Sequence, residues 1–196
     1  MKWIKNLTLA AIAAAALMAF LGAGTASATQ LCTDSGGICT EYSGNITGTA
    51  TNATLATNLA NVECSDSATT INAATSTGAP ILGEVTALSF TGCQTEGLVH
   101  TACTVTVKNL PYKAELEGKT LTVTDEVGAG AKVVCGEVLS CEFLTKKASL
   151  TITNGSPTVA KAENVPLSHE TGAICPTSAT WSATYSVVSP TGLTVL

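Results

Sequence analysis

The run Thr180-Trp181-Ser182-Ala183-Thr184-Tyr185-Ser186-Val187 decides the fold of this chain. Apolar or aromatic side chains occupy every second position, and hydroxyl-bearing side chains occupy the positions between them. A period of two places the two sets on opposite faces of a β-strand. A strand with one apolar face and one polar face is typical of an antiparallel sheet that covers a core on one side. We therefore predict that Trp181 and Tyr185 lie in the core.

Three further runs alternate in the same way, at residues 104–108, 120–124 and 149–153. Threonine dominates their polar sides, because its branched Cβ suits an extended backbone while its hydroxyl faces water. Glycine, asparagine and proline separate the runs, and we expect turns at Gly92 and at residues 109–111, 117–118, 128–130, 154–157 and 189–190. Short strands between turns, with no long helical repeat, predict an all-β fold, either an antiparallel β-sandwich or a barrel.

Residues 81–91 and 132–144 fit central strands and a hairpin, respectively. In and directly after residues 49–61, Leu55, Leu59 and Val62 have the spacing of one face of a helix. The threonines and asparagines of this segment make a helix less favourable. We predict a loop or one short helix for residues 49–61.

The N-terminus carries the pattern of an export signal. Lys2 and Lys5 precede an apolar, alanine-rich run at residues 7–21, and Ala26-Ser27-Ala28 forms a small-x-small cleavage motif. The alternative is a retained membrane anchor, but a run of about 15 residues is shorter than the ~20 that span a bilayer. The expected organisation is a signal peptide at residues 1–28, an N-terminal arm at 29–48 and a single β-domain at 49–196, with no transmembrane anchor in the mature chain.

All eight cysteines follow the export signal. An even number of cysteines in an exported chain predicts four disulfides, since the spacing lacks the C-x-x-C pairs typical of zinc sites. Eight cysteines allow 105 pairings. Proximity along the chain favours Cys32–Cys39, Cys93–Cys103 and Cys135–Cys141, which leaves Cys64–Cys175 to join distant parts of a disulfide-stapled domain.

Composition narrows the choice of partners. The chain has a formal net charge of −5 and contains no arginine. Nucleic acid is therefore excluded as an expected partner, since its phosphates are bound by clustered lysine and arginine. The expected partners are a cell-wall polymer, a glycan or another protein.

Residues with catalytic chemistry are few and scattered. His100 and His169 are predicted to be ordinary loop or strand histidines, and no G-x-S-x-G or H-E-x-x-H motif accompanies them. Glu115 and Glu117 are expected to share one face of a strand, and Asp125-Glu126 to lie at a strand end. Asp34, Asp66, Asp125 and Glu126 lack the spacing of a calcium loop. We predict no catalytic, cofactor or metal-binding residues. Asn45 and Asn52 begin N-glycosylation sequons, which arise readily by chance in a threonine-rich chain.

Three features of the sequence point to a family. The phrase Gly-x-x-x-x-Leu-x-Phe-Thr-Gly-Cys at Gly83 to Cys93, the pair Cys135 and Cys141, and the ending from Cys175 to Val187 resemble uncharacterised secreted, threonine-rich, cysteine-containing proteins of soil actinobacteria. The resemblance covers roughly Val62 to Pro190 and implies a bacterial, extracellular protein. It brings no catalytic residue. The end of the chain, Pro190-Thr191-Gly192-Leu193-Thr194-Val195, departs from the group's pattern and affects only where the last strand ends.

These observations favour a secreted, non-catalytic β-domain with a surface, structural or ligand-binding role. Two alternatives remain open at this point. The first is a secreted hydrolase that uses carboxylates or His169. The second is a protease inhibitor, because disulfide-stapled loops suit that role.

N-terminal sequencing of the exported protein tests the predicted signal. We expect the mature chain to begin at Thr29, because signal peptidase reads the small residues Ala26 and Ala28. A mature protein that begins at Met1 contradicts the prediction.

Overall fold

The computed structural model describes residues 28–97, 100–137 and 139–196. The predicted signal peptide, apart from its last residue, lies outside this range. Within the described residues the chain forms thirteen strands and no helix, which confirms the all-β prediction. The strands are β1 (Thr29–Ser35), β2 (Ile38–Glu41), β3 (Gly44–Ala56), β4 (Val62–Ala73), β5 (Thr77–Gly78), β6 (Ile81–Thr95), β7 (Ala102–Lys108), β8 (Tyr112–Glu117), β9 (Thr120–Cys135), β10 (Leu139–Thr153), β11 (Val159–Thr171), β12 (Ser178–Ser189) and β13 (Leu193–Val195).

The main sheet closes on itself. Strands β10, β11, β12, β3, β4 and β6 pair in that order, each antiparallel to its neighbour. Strands β7 and β8 lie end to end between β6 and β9, and β9 pairs with β10. The result is an antiparallel barrel with eight strand positions. The four alternating runs of the sequence lie in β7, β9, β10 and β12, with their apolar sides facing the barrel interior.

One of the eight strand positions is broken in the middle. β7 ends and β8 begins on either side of residues 109–111, where Pro111 has no amide hydrogen for the sheet. Opposite the break, β9 bulges, and Asp125 Oδ1 accepts hydrogen bonds from the amides of Val127 (3.0 Å) and Gly128 (2.7 Å). The side-chain amide of Asn109 donates a hydrogen bond from Nδ2 to the Gly128 carbonyl at 2.7 Å. The predicted strand end at Asp125 and turn at 128–130 are therefore wrong, since both lie within one bulged strand.

The prediction of a loop or short helix for residues 49–61 is wrong for residues 49–56 and correct for the loop at residues 57–61. β3 runs to Ala56, and the alanines Ala50 and Ala53 are buried on its inner face. Asn52 between them has φ of 55°, a left-handed conformation that asparagine tolerates, and the register with β12 shifts in this region. The extra residue breaks the period of two, which is why the sequence does not show the strand. Gly92, predicted as a turn, likewise has φ of 60° inside β6.

A smaller sheet covers one end of the barrel. It has the order β13-β1-β2, with β5 paired to the start of β1, and we call it the cap. Leu31 of β1 and Val195 of β13 are each only 2% exposed and pack with Ile81, Leu116 and Ile152 of the barrel. The predicted boundary of an N-terminal arm at residue 48 falls within β3, so only β1 and β2 of that segment belong to the cap.

Four disulfides join the eight cysteines, and no free cysteine occurs among the described residues. Cys32–Cys39 is paired as predicted and joins β1 to β2 within the cap. The other three predicted pairings are wrong. The structure pairs Cys64 with Cys93, Cys103 with Cys135, and Cys141 with Cys175, all at the barrel end opposite the cap, which we call the disulfide end.

The order of the strands explains the error. Cys64, Cys93, Cys103 and Cys135 lie in one row across β4, β6, β7 and β9, each the register partner of the next. Joining Cys93 to Cys103 would leave the outer two cysteines separated by three strand spacings, about 14 Å, beyond the reach of a disulfide. All four cysteines can form disulfides only if Cys64 pairs with Cys93 and Cys103 pairs with Cys135.

Removal of a barrel disulfide tests this arrangement. The Cys103–Cys135 bond closes a loop of sequence separation 32. We expect the double variant Cys103→Ala, Cys135→Ala to lose about 3–4 kcal/mol of unfolding free energy, as the chain-entropy model assigns to such a loop. Chemical denaturation measures the loss. Peptide mapping without reduction should link the Cys103 peptide to that of Cys135, and a link to Cys93 would contradict the structure.

Candidate functional site

The barrel encloses a cavity of about 140 Å³. Inward-facing side chains of most of its strands line the cavity, and aliphatic and aromatic groups dominate the lining. No charged residue occurs among the described residues that line it. Eight-stranded barrels have interiors just wide enough to be filled by side chains or to hold one small ligand. This cavity is the strongest candidate for a functional site.

Alanine leaves the space unfilled. Five alanines line the cavity, at Ala53, Ala129, Ala131, Ala148 and Ala160. An alanine at an inward position reaches far less toward the barrel axis than the leucine or valine found at other inward positions, such as Leu150 and Val123. The cavity is therefore a direct consequence of which inward positions hold small side chains.

The two ends of the barrel differ in how tightly they are closed. At one end the cap covers the barrel, and its side chains Leu31 and Val195 are each only 2% exposed. Within the described part of the chain no second sheet covers the disulfide end, where Leu55, Val105 and Leu139 are partly buried. Because the cap seals one end, a ligand would reach the cavity from the disulfide end.

A second, smaller space of about 80 Å³ lies nearer the cap. It is lined by Leu31 and Val195 of the cap together with barrel residues. Ile71, Leu121 and Ala160 line both spaces and so lie between them. The unfilled volume of the barrel therefore extends along its axis, with these three side chains at the narrow point.

A polar pair lies in the wall of the larger cavity. The hydroxyl oxygens of Tyr185 and Ser67 are 2.8 Å apart, and Ser67 donates its own hydrogen to the Ser89 carbonyl at 2.8 Å. Tyr185 must therefore donate to Ser67. Burial raises the pKa of Tyr185 to about 12, and the hydrogen bond with Ser67 offsets part of that rise. The phenol is neutral, and its hydrogen is already used.

Trp181 presents a different situation. Its ring lies beside that of Tyr185, with centroids 6.2 Å apart, and it also lines the cavity. Its indole nitrogen Nε1 is buried and has no hydrogen-bond partner among the described residues. The sequence predicted both aromatic residues to be core residues. The structure places them on the inner wall, next to unfilled space.

The two histidines lie apart from this site. His100 is exposed, with Nδ1 3.1 Å from the Thr95 carbonyl. His169 lies at the disulfide end, with its ring 6.0 Å from that of Phe143. Its Nε2 is buried and has no hydrogen-bond partner among the described residues. The convergence of groups that a His169-based hydrolase requires is not seen there.

The carboxylates are also dispersed. Glu115 and Glu117 share the outer face of β8, as predicted, and Asp125 is engaged by the backbone of its own bulge. Within the described part of the chain, no group of three His, Cys, Asp or Glu residues could hold a metal ion. None of its segments is a helix long and apolar enough to cross a membrane. The four disulfides indicate an oxidising environment.

The sequence reasoning missed the cavity. Its signal was present in part, since Ala160, Ala148 and Ala53 occupy positions where a tightly packed strand would carry a larger side chain. That signal becomes readable only when the alanines are known to face one another across a closed barrel.

Comparison with known proteins adds no assignment. No protein-family model matches the chain, and neither curated proteins nor solved structures gave a match. The function must therefore be inferred from the fold and the cavity.

The raised pKa of Tyr185 predicts a loss of stability in alkali. The phenol has a pKa near 10 in the unfolded chain and about 12 in the folded chain, so folding favours its neutral form. Its contribution to the unfolding free energy is therefore fully present below pH 10. The contribution, about 2–3 kcal/mol for a pKa raised from 10 to about 12, is lost as the pH rises through 12. We expect Tyr185→Phe to flatten the fall in unfolding free energy between pH 10 and 12, as measured by chemical denaturation.

Tyr42→Phe is the matched control, since Tyr42 does not line the cavity. It should leave the fall in unfolding free energy between pH 10 and 12 as steep as in the unmodified protein. Equal slopes for all three proteins would contradict the assignment to Tyr185.

Proposed function

We propose that the protein is an exported, non-catalytic β-barrel that binds one small apolar molecule inside its lumen. The observation that carries the proposal is the cavity of about 140 Å³ with its uncharged, mainly aliphatic and aromatic lining. Ligand sites are typically concave and apolar, with a small number of polar groups.

The size of the cavity supports binding rather than a packing imperfection. An engineered apolar cavity of about 150 Å³ stays dry and binds benzene or xenon. At about 24 cal/mol per Å³, an empty space of this size costs about 3 kcal/mol of stability, a large part of the 5–15 kcal/mol typical of a domain. A molecule that fills the space recovers contacts that the side chains do not supply.

The chemistry of the lining supports a role without catalysis. Acid–base and nucleophilic catalysis need a titratable or nucleophilic side chain within reach of the substrate. The described lining offers no histidine, lysine or carboxylate, and its one cysteine, Cys64, is oxidised. Tyr185 is held neutral by burial.

Export is proposed on two grounds. The N-terminal pattern around Lys2, Lys5 and Ala26-Ser27-Ala28 is that of a cleaved signal peptide. Four disulfides suit a protein that works in an oxidising, extracellular setting. A partner such as a cell-wall polymer, glycan or protein would meet the hydroxyl-rich outer faces of the strands and would not compete with a ligand in the lumen.

Filling the cavity tests the proposal. We expect toluene to bind the unmodified protein and raise its thermal unfolding midpoint, because a ligand that binds only the folded state stabilises it. Ala148→Leu places three further carbon atoms in the cavity and should weaken toluene binding at least ~10-fold, or 1.4 kcal/mol. Isothermal titration calorimetry measures the affinity.

Ala68→Leu is the matched control, because Ala68 is exposed on the outer side of β4. It should bind toluene as the unmodified protein does. Ala53→Leu, which enters the same cavity from β3, serves as a second filling variant if Ala148→Leu does not fold. No binding of toluene to the unmodified protein would overturn the proposed function.

A further inference from the structure

We infer that the ligand is a neutral, apolar molecule with one strong hydrogen-bond acceptor, and that the indole N–H of Trp181 donates to it. Small aromatic or alicyclic carbonyl compounds are the class that fits. This inference rests on the proposed function, since it specifies what the lumen binds.

Trp181 Nε1 is closed off from solvent and has no acceptor among the described residues. Leaving a buried donor unpaired costs about 1–3 kcal/mol, and the large majority of buried polar side-chain atoms have a partner. Tryptophan can only donate, so the missing partner is an acceptor. Because Trp181 lines the cavity, a ligand there can supply one.

Three other hydroxyl groups of the cavity wall already donate hydrogen bonds within the protein. Tyr185 donates to Ser67, and Tyr112 donates to the Lys108 carbonyl across the break between β7 and β8. The hydroxyl of Thr145 donates to the Lys147 carbonyl at 2.9 Å. These donors are used within the protein, whereas that of Trp181 is not. His169 Nε2 is also unpaired, but His169 is not among the residues that line the cavity.

The described lining of the cavity is uncharged. No lysine or histidine lines the described part of the cavity, so a carboxylate or phosphate would be buried without a counter-ion. Burying an unpaired ion is far more costly than burying a neutral polar group that forms a hydrogen bond. The acceptor is therefore the oxygen of a neutral group, and the rest of the molecule is apolar like the wall.

A pair of ligands of the same shape separates the acceptor from the apolar body. Acetophenone and α-methylstyrene differ in that the first has C=O where the second has C=CH₂. We expect Trp181→Phe to weaken acetophenone binding about 5–10-fold, as the loss of one hydrogen bond of ~1–1.4 kcal/mol implies. The same variant should change the affinity for α-methylstyrene less than ~2-fold. As in a double-mutant cycle, the change measured with α-methylstyrene corrects for the smaller ring of phenylalanine.

Tyr42→Phe is the matched control. It removes a hydroxyl donor that lies outside the cavity lining and is already used by the Asn45 carbonyl, so the preference between the two ligands should not change. Thermal unfolding of both variants checks that they remain folded.

A spectroscopic readout adds an independent measure. Of the two tryptophans in the sequence, Trp3 lies in the predicted signal peptide, so the exported protein that begins at Thr29 has a single indole N–H signal, that of Trp181. In ¹H–¹⁵N spectra of this ¹⁵N-labelled protein, acetophenone should move the indole proton downfield, as a new hydrogen bond does, and α-methylstyrene should not.

The outcomes separate the two proposals. If neither ligand binds, the proposed function fails. If both bind and Trp181→Phe weakens them equally, the lumen binds ligands but Trp181 does not recognise an acceptor, and the inference is overturned. If only acetophenone binding depends on Trp181, both stand.

Discussion

The pairing of β9 with β10 is the interaction on which the rest of the structure depends. It joins the two ends of the sheet, so every inward side chain faces others across a common axis instead of facing a second sheet. In a sandwich, two sheets can approach until their side chains touch, whereas the radius of a barrel is set by strand number and stagger. A closed barrel with alanine at Ala53, Ala148 and Ala160 therefore keeps an unfilled centre.

The two ends of the barrel are closed by different means, and this gives the molecule a direction. The cap closes one end with apolar packing, and hydrogen bonds reinforce it, such as that from the Gly118 amide to the Thr29 hydroxyl at 2.7 Å. The other end is held by covalent bonds between strands, including Cys64–Cys93 and Cys141–Cys175. Disulfides fix the strand ends without filling the space between them. Such an end can stay rigid and still admit a small molecule.

Much of the fold follows from local patterns, and the departures have identifiable causes. The strands with strict alternation, such as β12, were predicted with the correct inner and outer faces. Residues 49–56 and the turns at Gly92 and 128–130 were not. Asn52 and Gly128 sit in bulges that insert a residue without ending the strand, and Gly92 has a left-handed φ inside β6 while the register with β4 is kept. A bulge and a turn use the same residue types, since both need left-handed backbone. The site was predictable only as far as placing Trp181 and Tyr185 on an inner face.

The sequence by itself determined that the chain is built of strands, which side of each alternating strand is apolar, and that its eight cysteines are oxidised. These properties depend on neighbours along the chain and on the number of thiols. Only the tertiary structure decided which cysteines meet, that the sheet closes as a barrel, and that Trp181 borders a cavity with its indole nitrogen unpaired. The reason is that each of these depends on which strands become neighbours around the barrel, and strand order is set by contacts between residues far apart in the chain.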